Sequence, residues 1–139
     1  MSVEEFLDTN VLVYALDETD ETKHRRAEQL VQRSIETGSG CISYQVVQET
    51  LNVAVRKLGF SAGDARTLFS QVLTPLWRVS PSGELYERGL TLCDQYGLSF
   101  YDSMIVAGAV EFGCTRLYSE DFQHGQRIQS LIIENPFQV

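Results

Sequence analysis

Acidic residues stand at three positions from which their side chains can project into one site. Asp8 lies in LDTNVLVYAL, residues 7–16, where a short apolar strand meets an apolar helix. Asp121 follows a predicted strand at 116–118, and Asp102 begins the apolar segment DSMIVAGAV. A simpler interpretation of Asp8 and Asp102 is helix capping, because Asp accepts hydrogen bonds from the free N–H groups at a helix start. Carboxyl ends of parallel strands meet at one edge of a sheet, so the combination predicts a carboxylate cluster.

A fourth acid, Glu49, lies in the middle of the predicted helix SYQVVQETLNVAV, residues 43–55. It is opposite the main apolar face, which fits a solvated surface acid. Val46 and Val53 beside it indicate instead a second covered face. Glu120 precedes Asp121 and competes with it for the same role.

Carboxylates that converge repel one another, which raises some of their pKa values or requires a cation between them. Oxygen ligands of this kind suit Mg²⁺ or Mn²⁺, with water and phosphate oxygens in the remaining positions. The acids therefore predict a divalent metal site.

Strands alternate with helices along the chain, which predicts an α/β fold with a central, mostly parallel sheet of about five short strands and helices on both faces. The acidic stretch DETDET and Ser61 are predicted to supply helix caps. Strands are predicted at 3–7, 41–43, 76–79, 116–118 and 131–134, and helices at 10–16, about 23–37, 45–58, 62–73, 82–96 and 102–112.

Length and composition indicate one domain, residues 1–139, with an ordinary core. Hydrophobic residues make up 43% of the chain, which excludes a disordered protein. No apolar run approaches the roughly 20 residues of a membrane span, and the N-terminus does not resemble a signal peptide. We therefore expect a cytoplasmic protein with no membrane partner.

The cysteines Cys41, Cys93 and Cys114 form no zinc-binding pattern and are expected to be buried thiols. A Cys–His or Ser–His nucleophile lacks suitable partners in the sequence, although His124 is not removed as a candidate.

Five segments, taken in chain order, resemble the PIN-domain ribonucleases, and most closely the VapC-type toxins of toxin–antitoxin pairs. FLDTNVLVYAL resembles the opening strand with its metal-binding Asp, and ISYQVVQETLNV resembles the segment that carries the family's Glu. LSFYDSMIVAGA resembles the segment of its central Asp, LYSEDFQHG its fourth acidic segment, and IENPF its terminal strand. The resemblance covers nearly the whole chain.

This resemblance implies that four acidic residues are both catalytic and metal-binding, with Mg²⁺ or Mn²⁺ as the cofactor. It implies further that Thr9 or Asn10 orients the first carboxylate or the substrate, and that Ser43 supports the site from a strand end. The implied activity is hydrolysis of RNA phosphodiester bonds, in which the metal ion makes water a better nucleophile and screens phosphate charge. The four implied site acids are Asp8, Glu49, Asp102 and Asp121.

The resemblance also implies a homodimer and a small antitoxin that inserts into the acidic groove. Helices at 23–37 and 62–73 carry apolar residues that could contact a second copy or the antitoxin. Packing in the protein's own core explains those residues equally well. They are Leu30, Val31, Leu68 and Phe69.

The net charge of −8 opposes binding to RNA, because phosphate is normally bound by basic surfaces. Without the four site acids the charge is −4, and a bound cation would invert the local field. Basic residues at Lys23, Arg25 and Arg26, and at Arg56 and Lys57, are either RNA contacts or solvated helix faces.

Two further classes of α/β protein fit less well. An aspartyl phosphatase would need an Asp at the position of Asn10, and a receiver domain would need a lysine near its last strands. The alternatives that stay open are a catalytically inactive PIN-like binding scaffold and an RNA-processing nuclease that is not a toxin.

Overall fold

A computed structural model describes residues 3–138 of the chain. Six strands form one sheet in the spatial order β3-β2-β1-β4-β6-β5. The strands are β1 Glu5–Leu7, β2 Gly40–Ser43, β3 Trp77–Val79, β4 Arg116–Tyr118, β5 Arg127–Ile128 and β6 Leu131–Glu134.

The sheet is parallel except at one edge, as the alternation of strands and helices predicts. β5 pairs antiparallel with β6 and is the one strand that the sequence pattern did not predict. Its two residues are too few to show an alternating pattern, and it forms only because β6 lies beside it.

The helices that connect the strands are close to their predicted positions. A π-helical segment, Phe69–Leu73, continues α4 towards the short α5, so that the predicted helix at 62–73 extends to Leu76. The helices are α1 Thr9–Leu16, α2 Glu21–Thr37, α3 Tyr44–Arg56, α4 Ala62–Leu68, α5 Thr74–Leu76, α6 Gly83–Tyr96 and α7 Phe100–Glu111.

Three of the helix caps expected from the sequence, Asp8 at α1, Asp20 at α2 and Ser61 at α4, are confirmed, and the cap at Asp102 is wrong. Asp20 accepts a hydrogen bond from the N–H of Lys23, and Ser61 forms a reciprocal capping box with Asp64. At α7 the cap is Ser99, whose Oγ accepts from the N–H of Asp102 at 3.2 Å. Asp102 is therefore the third residue of the helix, which leaves its carboxylate free of a capping role.

The order of strands creates a site at the carboxyl edge of the sheet. β1 lies between β2 and β4, so the chain moves outward in one direction after β1 and returns to the other side after β3. Because parallel crossovers are right-handed, α1–α5 cover one face and α6–α7 the other. The edge beside β1 is the switch point at which open α/β sheets bind ligands.

Helix α7 is buried on nearly all sides, as its apolar sequence predicts. The side chains of Ser103 to Ala109 are all buried. A Cβ atom at Gly108 would lie 3.6 Å from both Phe6 and Val79, an ordinary van der Waals distance, so the helix packs directly on the sheet at this point. The position of Asp102 is thereby set by a rigid part of the core.

The predicted burial of the cysteines is confirmed for two of the three, and most of the proposed contact residues are buried. Cys41 and Cys114 are buried free thiols, while Cys93 is only half-buried. Leu30, Val31 and Leu68 belong largely to the core, so only Phe69 of the proposed contact residues is exposed. No helix within residues 3–138 is long and apolar enough to cross a membrane.

Candidate active site

Asp8 follows β1 at the switch point and is buried, with 5% of its surface exposed. Its N–H donates to the carbonyl of Tyr118, which joins the end of β1 to the end of β4. Its Oδ1 accepts from the N–H of Thr9 at 2.7 Å, and its Oδ2 accepts from the hydroxyl of Ser119 at 2.7 Å. Asp8 is thus both the cap of α1 and a carboxylate held firmly at the sheet edge.

Ser119 and Asn10 connect Asp8 with Asp121. The Ser119 hydroxyl oxygen accepts from the N–H of Asp121 at 3.0 Å. The side-chain amide of Asn10 donates to Ser119 Oγ and to Asp121 Oδ2, each at 3.2 Å. Asn10 thus contacts the carboxylate of Asp121 and not that of Asp8, and its predicted role in orienting the first carboxylate or the substrate stays a prediction.

Sequence reasoning did not select Ser119. The available signal was its place directly after β4, which is also the place that Asp8 has after β1. Serine is common in the turns that follow strands, so its presence there does not by itself indicate a site. Its partner Asp8 is 111 residues away in the chain, beyond the reach of any local pattern.

Glu49 reaches the same site from α3. Its Oε1 accepts from the hydroxyl of Thr9 at 2.8 Å, while its side chain remains exposed. Thr9 therefore contacts Asp8 through its backbone and Glu49 through its side chain. The second covered face predicted beside Glu49 packs against the start of α1. The helical pattern of α3 indicates that such a face exists but not which element covers it.

The Glu120 carboxylate is bound by side chains outside the acidic network, although Glu120 lines the same cleft. Its two carboxylate oxygens accept from Tyr14 Oη at 2.8 Å and from Lys23 Nζ at 2.9 Å. Its N–H donates to Asn10 Oδ1 at 3.3 Å. The Glu120 carboxylate already has a cationic partner, whereas within residues 3–138 the hydrogen-bond partner of the Asp121 carboxylate is the neutral amide of Asn10.

The structure does not bring Asp102 into this hydrogen-bond network. Among residues 3–138 its carboxylate forms no hydrogen bond or ion pair. The first turn of α7 is nevertheless tied to the first turn of α3, because Gln45 Nε2 donates to the carbonyl of Tyr101 at 3.2 Å. Ser43, at the end of β2, is buried and its hydroxyl has no hydrogen-bond partner within the described chain, so its supporting role stays a prediction.

Burial and negative neighbours govern the protonation of Asp8. The pKa of its carboxyl group is raised to about 6, mainly by desolvation on burial, and the charges of Asp121 and Glu49 contribute to the increase. The hydrogen bonds from Ser119 and Thr9 lower the pKa and only partly offset the burial. A cation at this edge would favour the ionised form.

A pH titration without metal should detect this carboxyl group. A raised pKa in the folded state means that its stabilising contribution is complete below the unfolded pKa and is lost as pH rises through about 6. In chelator, the free energy of unfolding should fall by about 1–3 kcal/mol between pH 4.5 and pH 7.5 on account of Asp8. Chemical denaturation of Asp8→Asn and of the unmodified protein at several pH values would measure this decrease. An equal dependence of the free energy of unfolding on pH in both proteins would show that the raised pKa does not belong to Asp8.

A cleft of about 430 Å³ opens beside the acidic side chains Glu49, Glu120 and Asp121. Lys57 lines it, so one of the two basic patches reaches the site. In the other patch Lys23 is paired with Glu120 and Arg25 with Glu21. The side chains named above that line the cleft are Thr9, Asn10, Tyr14, Glu49, Glu120 and Asp121.

The residues at this edge fit a hard divalent cation with few protein ligands. Within residues 3–138 no three acidic, His or Cys side chains, as placed, form a complete metal cage. Mg²⁺, however, is commonly held by one or two carboxylates together with water and substrate phosphate. The buried Asp8 carboxylate, linked through Ser119 to Asp121, supplies oxygen donors of that kind.

Comparisons with known proteins agree with this architecture. One solved structure, a toxin–antitoxin complex from Klebsiella pneumoniae, superposes with a TM-score of 0.69 at 21% identity, covering 98% of this chain and all of the other. A second, the sarcin–ricin loop cleaving toxin VapC20 of Mycobacterium tuberculosis, gives a TM-score of 0.61 at 20% identity, covering 84% of this chain and 88% of the other. No curated protein matches the sequence significantly.

At these identities the two structures establish a shared fold. The family is established by the sequence itself, because the PIN domain model matches residues 6–126, a range that includes all four predicted site acids. The chain belongs to the PIN domain family.

Proposed function

We propose that this protein is a divalent-metal-dependent endoribonuclease and the toxin of a toxin–antitoxin pair. The observation that carries the proposal is the buried Asp8 carboxylate, connected through Ser119 to Asp121 and through Thr9 to Glu49. None of these three carboxylates forms an ion pair with a Lys or Arg side chain within residues 3–138. Carboxylates gathered at the ligand-binding edge of a sheet suit metal-assisted phosphodiester hydrolysis. Membership of the PIN family, and a fold shared with a structure of a toxin–antitoxin complex and with the toxin VapC20, support the same activity.

Asp8 and Asp121 would hold Mg²⁺ or Mn²⁺, with Glu49 and Asp102 completing the acidic site. When bound, the cation would supply charge for the phosphate and make water more acidic. Thr9 and Ser119 fix both oxygens of Asp8, so that the carboxylate need not reorganise when substrate arrives. Asn10 donates to one oxygen of Asp121 and accepts from the backbone of Glu120, which holds the loop after β4 in place.

The proposed partners are an RNA substrate, a small antitoxin and a second copy of the chain. An apolar groove of about 370 Å³ lies between α1, α2 and the end of α4 and offers a surface for a partner segment. It is lined by Leu12, Ala15, Leu16, Val31, Ile35 and Val72, among others.

Purified, partner-free protein should cleave total cellular RNA in Mg²⁺ or Mn²⁺ and not in chelator. Asp121→Asn should slow the cleavage by roughly 10–100-fold, which is typical for loss of a group that supports or binds a metal ion. Glu120→Gln should leave the rate within a few-fold, because the Glu120 carboxylate is occupied by Lys23 and Tyr14. Gel analysis of RNA fragments with time gives both rates.

Glu120→Gln is the matched control for Asp121→Asn, because each change removes one negative charge from the same loop. A large loss in Glu120→Gln with normal rates in Asp121→Asn would reverse the assignment. Metal-dependent binding without cleavage in any RNA would indicate the inactive scaffold, and metal-independent cleavage equal in all variants would indicate a contaminant.

A further inference from the structure

A further cavity, of about 280 Å³, lies between α2 and the last residues of β4 and β6. Within residues 3–138, no residue lines both this cavity and the cleft beside the acidic side chains. We refer to the cavity as the arginine pocket. Its walls include Arg26, Leu30 and Arg33 of α2, Tyr118 of β4, Glu134 of β6 and Pro136.

Arg26 brings to the pocket a guanidinium group that has no anionic partner in the described part of the chain. The residue is half-buried, and among residues 3–138 its side chain takes part in no ion pair. Its side chain forms one long hydrogen bond there, from Nη1 to the Pro136 carbonyl at 3.4 Å. Because a guanidinium group carries five N–H donors, most of those of Arg26 remain available to a ligand.

Tyr118 is buried, with 5% of its surface exposed, and adds a hydroxyl group to the pocket. Its oxygen accepts from Nη2 of Arg33 and from Nη1 of Arg116, each at 3.5 Å. Among residues 3–138 its O–H has no acceptor of its own. Because buried donors are nearly always bonded, this O–H is placed to donate to an acceptor from outside the chain.

The arginine pocket is locally positive in a chain that is acidic overall. Arg33 Nη2 lies 3.1 Å from Glu5 Oε1, and Arg116 Nε lies 3.7 Å from Glu134 Oε1, so each of these carboxylates is matched by one arginine. Arg26 remains as the excess positive charge. With a net charge of −8 the chain has carboxylates to spare, so the lack of a protein partner for Arg26 fits an anion that comes from outside.

The donors of the pocket suit a phosphate group in number. Arg26 and Arg33 stand about two turns apart on α2, and the Tyr118 hydroxyl comes from the sheet. A terminal phosphate group presents three acceptor oxygens and up to two negative charges, whereas a phosphodiester has only two free oxygens. Arginine is enriched where phosphate is bound through pairs of N–H groups. The volume of the pocket is at the lower limit of small-molecule sites, roughly 300 Å³, which favours a small ligand.

We propose that the arginine pocket binds a phosphate group, either as inorganic phosphate or as the terminal phosphate of a small molecule such as a mononucleotide. Arg26 supplies the unmatched charge, and the Tyr118 hydroxyl supplies a neutral donor. Within residues 3–138, Arg33 uses only Nη2 for its bonds to Glu5 and Tyr118, so its Nη1 and Nε groups are free to donate. The site is separate from the acidic edge of the sheet and does not depend on the proposed function.

Isothermal titration with inorganic phosphate, at constant ionic strength and in chelator, tests the proposal. Chelator keeps cations from the acidic edge, so that phosphate does not bind there through a metal ion. Arg26→Gln should weaken binding roughly tenfold or more, the order expected for loss of a hydrogen bond to a charged group. Tyr118→Phe keeps the ring in the core and should weaken binding about tenfold through loss of the O–H donor.

Titration of the unmodified protein with adenosine monophosphate distinguishes the two sources of the phosphate group. Tighter binding than that of inorganic phosphate would assign a small phosphorylated molecule to the pocket. Equal or weaker binding would assign inorganic phosphate.

Arg25→Gln is the matched control for Arg26→Gln. Arg25 is the neighbouring residue on α2, is exposed and paired with Glu21, and its replacement removes the same charge. The affinity of Arg25→Gln for phosphate should stay within about twofold of the unmodified protein, as expected for an exposed charge. Failure of the unmodified protein to bind either phosphate compound, or equal binding by these two variants, would overturn the proposal.

Nucleic acid is the remaining source of phosphate that the experiment must separate. A single-stranded RNA with hydroxyl groups at both ends should not depend on Arg26 for binding in chelator. If its affinity falls in Arg26→Gln, the pocket takes backbone phosphate and the assignment to a terminal phosphate is overturned. None of these outcomes depends on RNA cleavage, so failure here leaves the proposed nuclease function intact.

Discussion

Replacement of Asp8 by Asn is expected to lower the RNA cleavage rate by at least about a hundredfold, since changes to groups that merely support a metal ligand already cost 10–100-fold. The substitution keeps the shape of the side chain but removes the charge that would hold a cation. It also replaces an acceptor oxygen by a donor nitrogen opposite the Thr9 N–H or the Ser119 hydroxyl, both of which donate to Asp8. Initial rates of RNA cleavage in Mg²⁺ would measure the loss.

Folding must be separated from activity in this experiment. Asp8→Asn should remain folded in chelator, because it removes a buried charge that Asp121 and Glu49 repel. Asp94→Asn, an exposed acid on α6, removes the same charge away from the site and should cleave RNA at the normal rate. Full activity in Asp8→Asn would show that the buried carboxylate is only a helix cap.

Asp102→Asn is the second change with a large expected effect, a loss of activity of about a hundredfold or more if Asp102 belongs to the same metal site. In the structure its carboxylate has no hydrogen-bond partner among residues 3–138, although it stands on a buried helix that leaves little freedom to the backbone. An acid so placed, and not used as a cap, is available to a bound cation. Titration of metal affinity in the variant would detect the same loss by a second readout.

Glu84→Gln provides the comparison for Asp102→Asn. Glu84 also lies in the first turn of a helix, α6, and its loss removes the same favourable interaction with the helix dipole. That interaction contributes about 0.3–1 kcal/mol to stability in either case. Only Asp102→Asn should affect cleavage and metal affinity. Equal, small effects in both variants would limit Asp102 to helix stabilisation.

Local patterns in the sequence were sufficient to predict most elements of the fold. The apolar run after Asp102 predicts a buried helix wherever that helix packs, and short apolar strands between helices predict a mostly parallel sheet. Asp8 was recognisable because a polar triplet interrupts an apolar segment. β5 was not predictable, because its two residues acquire strand geometry only by pairing with β6.

The relationships among the side chains were decided by tertiary structure. Asp8 and Ser119 meet across 111 positions of sequence, as do Asn10 and Asp121, because β1 and β4 are neighbours in the sheet. The choice between Glu120 and Asp121 depends on Lys23, which reaches Glu120 from α2. The sequence by itself determined which acidic residues lie at strand ends and helix starts, because local patterns predict those elements. Strand order and crossover handedness decided which of these acids lie close together, because the distances between them depend on the packing of the whole chain.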